Sequence, residues 1–75
     1  MYSRLWCHLC DDMIADLRIL QARTSFELEV VDVEADPALE AVYGERVPVL
    51  TAAGAELCHA RLDYTKVNEY LSNFR

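Results

Sequence analysis

Apolar residues follow two different periods along the chain, and these periods distinguish the predicted helices from the predicted strands. In residues 11–22, apolar side chains such as Met13 and Leu17 recur three or four positions apart, which is typical of a helix with one buried face. Residues 26–33 alternate apolar and acidic side chains and then become apolar on both faces. This second pattern predicts a strand that runs from a half-exposed position into a buried one.

The remaining boundaries follow from capping residues and turns. Asp36 and Pro37 are favoured at the N-cap and first position of a short helix, and Gly44 is favoured just past its end. Asp63 caps a last helix in which apolar residues repeat with the helical period up to Phe74. The patterns together predict strands over residues 1–4, 26–33, 46–51 and 56–60, with helices over residues 11–22 and 63–74 and the short helix between them.

The resulting order of elements, β-α-β-α-β-β-α, restricts the topology. A helix between the first two strands makes them parallel, joined by a right-handed crossover. A turn at Ala53-Gly54 joins the last two strands as an antiparallel hairpin. We therefore predict an α/β fold with a four-stranded mixed sheet and helices on both faces. The 75 residues form one domain, residues 1–75.

The net charge of −6 limits the classes of partner. Nucleic acids and anionic membranes are bound through basic surfaces, so neither is expected as a partner. No apolar run approaches the roughly 18 residues of a membrane span, and the N-terminus lacks the layout of a signal peptide. We expect a cytoplasmic monomer. In that compartment thiols are kept reduced and disulfides are transient and catalytic.

The cysteines add candidate chemistry to this fold. Cys7 and Cys10 form a Cys-x-x-Cys pair at the junction of the first strand and the first helix, with residues 7–10 as the first helical turn. Unpaired N–H groups at a helix N-terminus stabilise a thiolate, which is the reactive form, so Cys7 is the predicted nucleophile. Cys10 lies within disulfide reach as the resolving thiol. Cys58 is expected to be a small buried hydrophobic residue.

The neighbours of the cysteines act in different directions. Protonated His8 would favour the Cys7 thiolate, whereas Asp11 and Asp12 oppose it through like-charge repulsion. The sequence therefore gives no direction for the redox potential. Trp6 precedes the nucleophile, and it either shields the sulfur, presents an apolar docking surface, or packs in the core.

The same cysteines permit two other interpretations. A zinc site would need Cys58 and His59 as further ligands, but adjacent strand residues point to opposite faces, so no metal ligand is predicted. An iron–sulfur module bridged between two copies is the related alternative. The second interpretation makes Cys7 and Cys10 ordinary core residues.

The segment around the dithiol is Tyr2-Ser3-Arg4-Leu5-Trp6-Cys7-His8-Leu9-Cys10. It resembles the active-site segment of the glutaredoxins, and more closely that of a small bacterial glutaredoxin-like family of largely undefined function with a Cys-His-Leu-Cys-type motif. The resemblance covers nearly the whole chain and implies a thioredoxin/glutaredoxin-like fold. It also implies a thiol–disulfide oxidoreductase or electron carrier that acts on disulfides of a protein or small-thiol partner.

The resemblance also implies roles outside the dithiol. Val47-Pro48 matches the Val-Pro step that opens the third strand, which implies a cis proline beside the dithiol. The backbone of Val47 would then pair with an extended substrate or with glutathione. Arg4 matches a basic position that binds a glutathione carboxylate, although a solvated surface arginine is the alternative. Asp63 matches an acidic position before the last helix.

One departure from the glutaredoxin pattern concerns glutathione. Glutaredoxins carry a Gly-Gly step before the last helix, and residues 59–63 contain no glycine. Glutathione remains the candidate co-substrate that the resemblance implies, and the missing glycines argue against it in favour of a thioredoxin-reductase-like donor or a protein partner. No other cofactor is predicted. A non-catalytic domain that docks peptides on Trp6 and Val47-Pro48 is a further alternative.

Overall fold

The computed structural model describes residues 1–73, and its elements occur in the predicted order. Three α-helices lie in this range: α1 (His8–Arg23), α2 (Pro37–Tyr43) and α3 (Tyr64–Ser72). The four strands are β1 (Tyr2–Ser3), β2 (Val31–Asp32), β3 (Val49–Ala52) and β4 (Ala55–His59). Within residues 1–73 the chain has no helix with the length and apolar character needed to cross a membrane. The predicted end of the last helix at Phe74 lies outside the described residues.

The four strands form one mixed sheet in the order β2-β1-β3-β4. β1 runs parallel to β2, with Tyr2 opposite Val31, and antiparallel to β3, with Tyr2 opposite Val49. β3 and β4 form an antiparallel hairpin. The predicted α/β fold with a four-stranded mixed sheet is therefore confirmed, and α1 supplies the crossover between the two parallel strands.

Helices cover both faces of the sheet, as predicted. Val49 and Leu50 are neighbours on β3, so their side chains point to opposite faces. Leu50 belongs to a buried cluster with side chains of α1 and α3, among them Leu17. Tyr2 shares the face of its partner Val49 and stacks on Tyr43 of α2, with ring centroids 4.1 Å apart. Helices α1 and α3 thus pack on one face and α2 packs on the other.

The second strand is much shorter than residues 26–33, the range that the alternating pattern predicts. Only Val31–Asp32 pairs with β1, because β1 itself offers just two residues to the ladder. The chain then turns into a short 3-10 helix, Val33–Ala35. Phe26 and Leu28 are half-buried against the core without belonging to a strand, so the alternation reports one-sided burial rather than strand pairing.

Helix α2 begins and ends where predicted, but the backbone at its end differs from the expected left-handed cap. Asp36 caps it by accepting the N–H of Ala38 at 2.9 Å, and Pro37 is its first residue. Gly44 has φ −53°, an ordinary helical value, so it does not supply the left-handed turn that often follows a helix. A side chain is excluded there for another reason, because a Cβ at Gly44 would lie 2.5 Å from the carbonyl oxygen of Glu40.

The hairpin of β3 and β4 has the predicted turn and one irregularity. Ala53 and Gly54 have φ values of 52° and 80°, as a two-residue type I′ turn requires. β3 begins only after Pro48, later than predicted, because a proline cannot donate to a ladder. β4 has one more residue than β3 between their paired positions, and Leu57 is this extra residue.

Candidate functional site

Cys7 occupies the N-cap position of α1, directly after the loop that leaves β1. Its backbone is extended, with φ −117° and ψ 106°, and its sulfur accepts the N–H of Cys10 at 3.1 Å. Cys7 and Cys10 form a disulfide across one helical turn, with Cα atoms 5.2 Å apart. The structure therefore brings the two predicted cysteines together at a helix start, where a backbone N–H and the helix dipole favour negative charge on the Cys7 sulfur.

The two sulfurs of the pair differ in access. Cys7 is half-buried and lies at the edge of the core, whereas Cys10 is 1% exposed within it. The first turn of α1 also presents His8 and Asp11 to solvent. A substrate that approaches the disulfide from outside consequently meets Cys7 before Cys10.

Trp6 stands out from the surface beside Cys7. Its side chain is 99% exposed, so the interpretation of Trp6 as a packed core residue is wrong. Its φ of 59° lies in the left-handed region, which costs an ordinary residue roughly 1–2 kcal/mol. Leu5 and Leu9 are also exposed, at 67% and 41%. These three residues form an apolar surface around the disulfide, which we call the apolar rim; the sequence pattern singled out only Trp6.

The Val47-Pro48 peptide bond is cis, as the resemblance implies. Pro48 is buried, and its carbonyl accepts the N–H of Ala60 at 2.8 Å. The N–H of Val47 donates to the carbonyl of Tyr43 at 3.1 Å. Val47 and Cys7 both pack against the buried cluster that contains Cys10. A substrate that pairs with the Val47 N–H must therefore displace the Tyr43 carbonyl.

Arg4 is held by α2 and by the segment before it. Its Nη1 donates to Glu34 Oε1 at 3.1 Å, and its Nη2 donates to Glu40 Oε1 at 2.5 Å. Nη2 also donates to the carbonyl of Gly44 at 2.8 Å. The hydrogen bond that Arg4 donates to Glu40 raises the pKa of Arg4 above its usual value. Both acidic partners are distant in sequence, and no local pattern could have identified them.

The connection between β4 and α3 contains the remaining predicted site residue. The Asp63 carboxylate caps α3 by accepting the N–H of Lys66 at 3.1 Å. Ala60 has φ 65°, so this glycine-free connection contains a left-handed residue of the kind that glycine normally provides. The structure thus gives Asp63 a structural role and leaves its part in substrate binding a prediction.

A groove of about 390 Å³ separates α1 from this connection and begins at Leu9, between the two cysteines. Asp12 and Asp16 line it from α1, and Arg61 lines it from the opposite side. The two aspartates lie four positions apart, so they share one side of the helix. This spacing is visible in the sequence, but the facing connection is visible only in the fold.

Cys58 is a buried residue of the core cluster, as predicted. It is buried on β4, and burial raises the pKa of its thiol above the usual value. Within residues 1–73, no three His, Cys, Asp or Glu side chains come together in a way that could hold a metal ion.

An α/β fold of thioredoxin type with a Cys-x-x-Cys disulfide at a helix start defines a redox-type module. The model of one protein family, described as Glutaredoxin-like domain (DUF836), matches residues 1–72. The chain belongs to this glutaredoxin-like family. No curated protein matches the chain.

Two solved structures of structural genomics targets are similar to the chain. One is a protein from Nitrosomonas europaea solved by solution NMR, with 46% identity and a TM-score of 0.82, covering 92% of this chain and 84% of that one. The other is a protein from X. campestris solved by X-ray crystallography, with 37% identity and a TM-score of 0.70, covering 96% of this chain and 92% of that one. The likeness to these two structures supports the family and the fold.

Proposed function

We propose that the protein is a thiol–disulfide oxidoreductase in which Cys7 is the nucleophile and Cys10 is the resolving thiol. One observation carries the proposal: the accessible sulfur of Cys7 sits at the N-cap of α1, where it accepts an N–H, with the sulfur of Cys10 in disulfide contact. This arrangement stabilises the charged form of the attacking group and holds the second thiol in place for the next step.

The reaction consists of two thiol–disulfide exchanges. The Cys7 thiolate attacks one sulfur of a substrate disulfide, which forms a mixed disulfide and releases the other substrate sulfur as a thiolate. The Cys10 thiolate then attacks the Cys7 sulfur and releases the second substrate thiolate. The substrate gains two electrons, and the protein is left with the Cys7–Cys10 disulfide. A thiol or dithiol reductant must return the protein to its starting state.

The proposed partners are a disulfide-bearing protein or small thiol as substrate and a thioredoxin-reductase-like donor or glutathione as reductant, acting in the cytoplasm. The hydrogen bonds of Arg4 to Glu34 and Glu40 argue against binding of glutathione. For Arg4 to bind a substrate carboxylate, it must give up one of these partners. Of the two proposed reductants, glutathione is therefore the one with less support.

The test follows the fate of the thiols in reduced protein mixed with bis(2-hydroxyethyl) disulfide. The wild type should end with a Cys7–Cys10 disulfide and release two equivalents of mercaptoethanol. Cys10→Ser should stop at a mixed disulfide on Cys7, visible by mass spectrometry. Cys7→Ser should reduce the disulfide at least about tenfold more slowly than the wild type, because Cys10 is buried.

Cys58→Ala is the matched control, since it removes the one thiol that does not belong to the pair, and its rate should equal that of the wild type. If Cys7→Ser reduced the disulfide at the wild-type rate, the assignment of the nucleophile would be wrong.

The exposure of Trp6 favours a second candidate function, a non-catalytic domain that docks peptides beside Pro48. This candidate predicts peptide binding that survives replacement of both Cys7 and Cys10 by serine, together with wild-type protein that does not reduce disulfides. The two assays separate the candidates, because exchange chemistry requires the cysteines and docking does not.

A further inference from the structure

We propose that the face around the Cys7–Cys10 disulfide docks a protein segment in which the reacting cysteine has an apolar neighbour and a basic residue close by. This inference rests on the proposed function and specifies its substrate class. It combines the apolar rim with the charges on either side of the rim.

The apolar rim has the character of a contact surface. Leu5, Trp6 and Leu9 expose 67%, 99% and 41% of their surface within five consecutive residues. Contiguous exposed apolar side chains with polar surroundings mark protein contact sites, and tryptophan is the residue most enriched among binding hot spots. The left-handed backbone of Trp6 keeps this ring in solvent at an energetic cost, so a partner that covers it gains apolar contact without first unpacking the core.

The groove beside the rim selects for positive charge. Asp12 and Asp16 line it next to Leu9, and Arg61 is the single basic residue in its lining. Asp11, one residue before Asp12, is also exposed in the first turn of α1. A partner that approaches the disulfide from this side therefore meets three carboxylates and one guanidinium. A Lys or Arg side chain of the partner is attracted there, and an anionic substrate is repelled.

The guanidinium of Arg4, one residue before the rim, is already paired and therefore offsets little of this negative charge. Arg4 is the arginine nearest to Cys7 in sequence, and its guanidinium is bound to Glu34, Glu40 and the Gly44 carbonyl. The three side chains together carry one net negative charge. With a net charge of −6, the whole protein also steers basic partners toward itself. Charge complementarity thus points to a basic protein segment as the occupant.

The chemistry of the proposed step is the exchange already described. Cys7 forms the mixed disulfide with the docked cysteine, and Cys10 breaks it, so one substrate disulfide becomes two thiols. Dithiothreitol, removed before the assay, supplies the reducing equivalents in the test.

The charge part of the proposal is tested with three small disulfides: cystamine, a dication; bis(2-hydroxyethyl) disulfide, neutral; and 3,3′-dithiodipropionate, a dianion. Each rate is divided by the rate of the same disulfide with dithiothreitol, which corrects for intrinsic reactivity. We expect the reduced protein to prefer cystamine to the dianion by about tenfold at low salt. This preference should fall toward unity near 1 M salt, where screening acts within about 3 Å.

Matched variants locate the preference. In the double variant Asp12→Asn, Asp16→Asn, the preference for cystamine over the dianion should be about threefold smaller than in the wild type, because the two groove carboxylates are gone. The double variant Glu27→Gln, Glu69→Gln removes two exposed carboxylates outside the groove lining and should leave the preference nearly unchanged. Equal effects of the two changes would assign the preference to net charge alone and overturn the groove as its source.

The apolar part is tested with disulfide-linked dimers of a short peptide that has Leu beside its cysteine and Lys at both ends, and with the same peptide carrying Ser in place of Leu. Trp6→Ala should slow reduction of the Leu peptide severalfold and leave bis(2-hydroxyethyl) disulfide unaffected. Val42→Ala, which truncates an exposed apolar residue on α2, is the control and should change neither rate.

The outcomes separate this proposal from the function on which it rests. If the wild type does not reduce the neutral disulfide, the proposed oxidoreductase function fails. If it reduces the neutral disulfide but shows no preference for cystamine, or prefers the dianion, the function stands and the basic partner is rejected. If Trp6→Ala reduces both peptides at the wild-type rate, the apolar rim is not the docking surface.

Discussion

Cys7 and Cys58 lie in two regions that have opposite effects on the exposure and the ionisation of a thiol. Cys7 ends a loop, caps a helix and is reachable from solvent, with the N–H of Cys10 on its sulfur. Cys58 lies within β4, buried in the core, where burial raises the pKa of its thiol. We infer from this difference that a thiol at a helix start in this fold is more reactive than the same group in the core.

The largest expected effect is on alkylation of the reduced protein. Cys7 should react with iodoacetamide at pH 7 about a hundredfold faster than Cys58, because Cys58 is both inaccessible and held in its protonated form. The rate at Cys58 should rise only as the pH exceeds the usual thiol pKa of about 8.5. Mass spectrometry of digested protein measures both sites. Comparable labelling of Cys58 in folded protein at neutral pH would contradict the comparison.

The second effect concerns stability in the two regions. Leu17→Ala removes a fully buried side chain from the cluster that contains Cys58, and we expect a loss of about 3 kcal/mol in the free energy of unfolding. Leu5→Ala truncates a residue of the apolar rim and should cost less than about 0.5 kcal/mol. Urea denaturation monitors both variants. A large loss for Leu5→Ala would mean that the rim supports the core rather than a partner.

A smaller effect separates the structural role of Asp63 from a role in binding. Asp63→Ala removes the N-cap of α3, next to the Cys58 region, and should lower the free energy of unfolding by about 1 kcal/mol. Asp63→Asn keeps a capping group and serves as the control. At temperatures where both variants are folded, their rates of disulfide exchange should equal that of the wild type. A fall in rate with intact folding would support the predicted role of Asp63 in substrate binding.

The smallest effect is a gain in stability. Ala60→Gly should raise the free energy of unfolding by about 0.5 kcal/mol, because glycine relieves the left-handed backbone while losing more chain entropy. Ala55→Gly, on a strand without positive φ, is the control and should lower stability. Thermal denaturation compares the two, and a loss in Ala60→Gly would show that the Ala60 methyl group packs usefully in the connection.

Local interactions made much of this structure predictable. The caps at Asp36 and Asp63 and the first turn at Cys7 each depend on atoms within three residues, and each lies where the sequence indicates. The length of β2 depends on β1, a strand almost thirty residues earlier, so alternation alone overestimated it. The full exposure of Trp6 likewise depends on which side chains the completed core leaves outside.

The interactions of Arg4 mark the limit of sequence-based prediction for the site. Its position before Cys7 matches a carboxylate-binding position of the glutaredoxins. That match considers only residues close together in sequence. The fold brings Glu34 and Glu40 to the same guanidinium from thirty and more residues away. The pairing of Arg4 therefore depends on tertiary contacts that no local motif contains.

The extra residue at Leu57 has a consequence for self-association. β4 is the outer strand of the sheet on the side away from β2, so its free edge could template pairing with another chain. A bulge increases the local twist and breaks the regular spacing of edge N–H and C=O groups. The irregular edge at Leu57 thus hinders edge-to-edge pairing of this small sheet with another chain. A shortened hairpin without that residue would be more prone to aggregate.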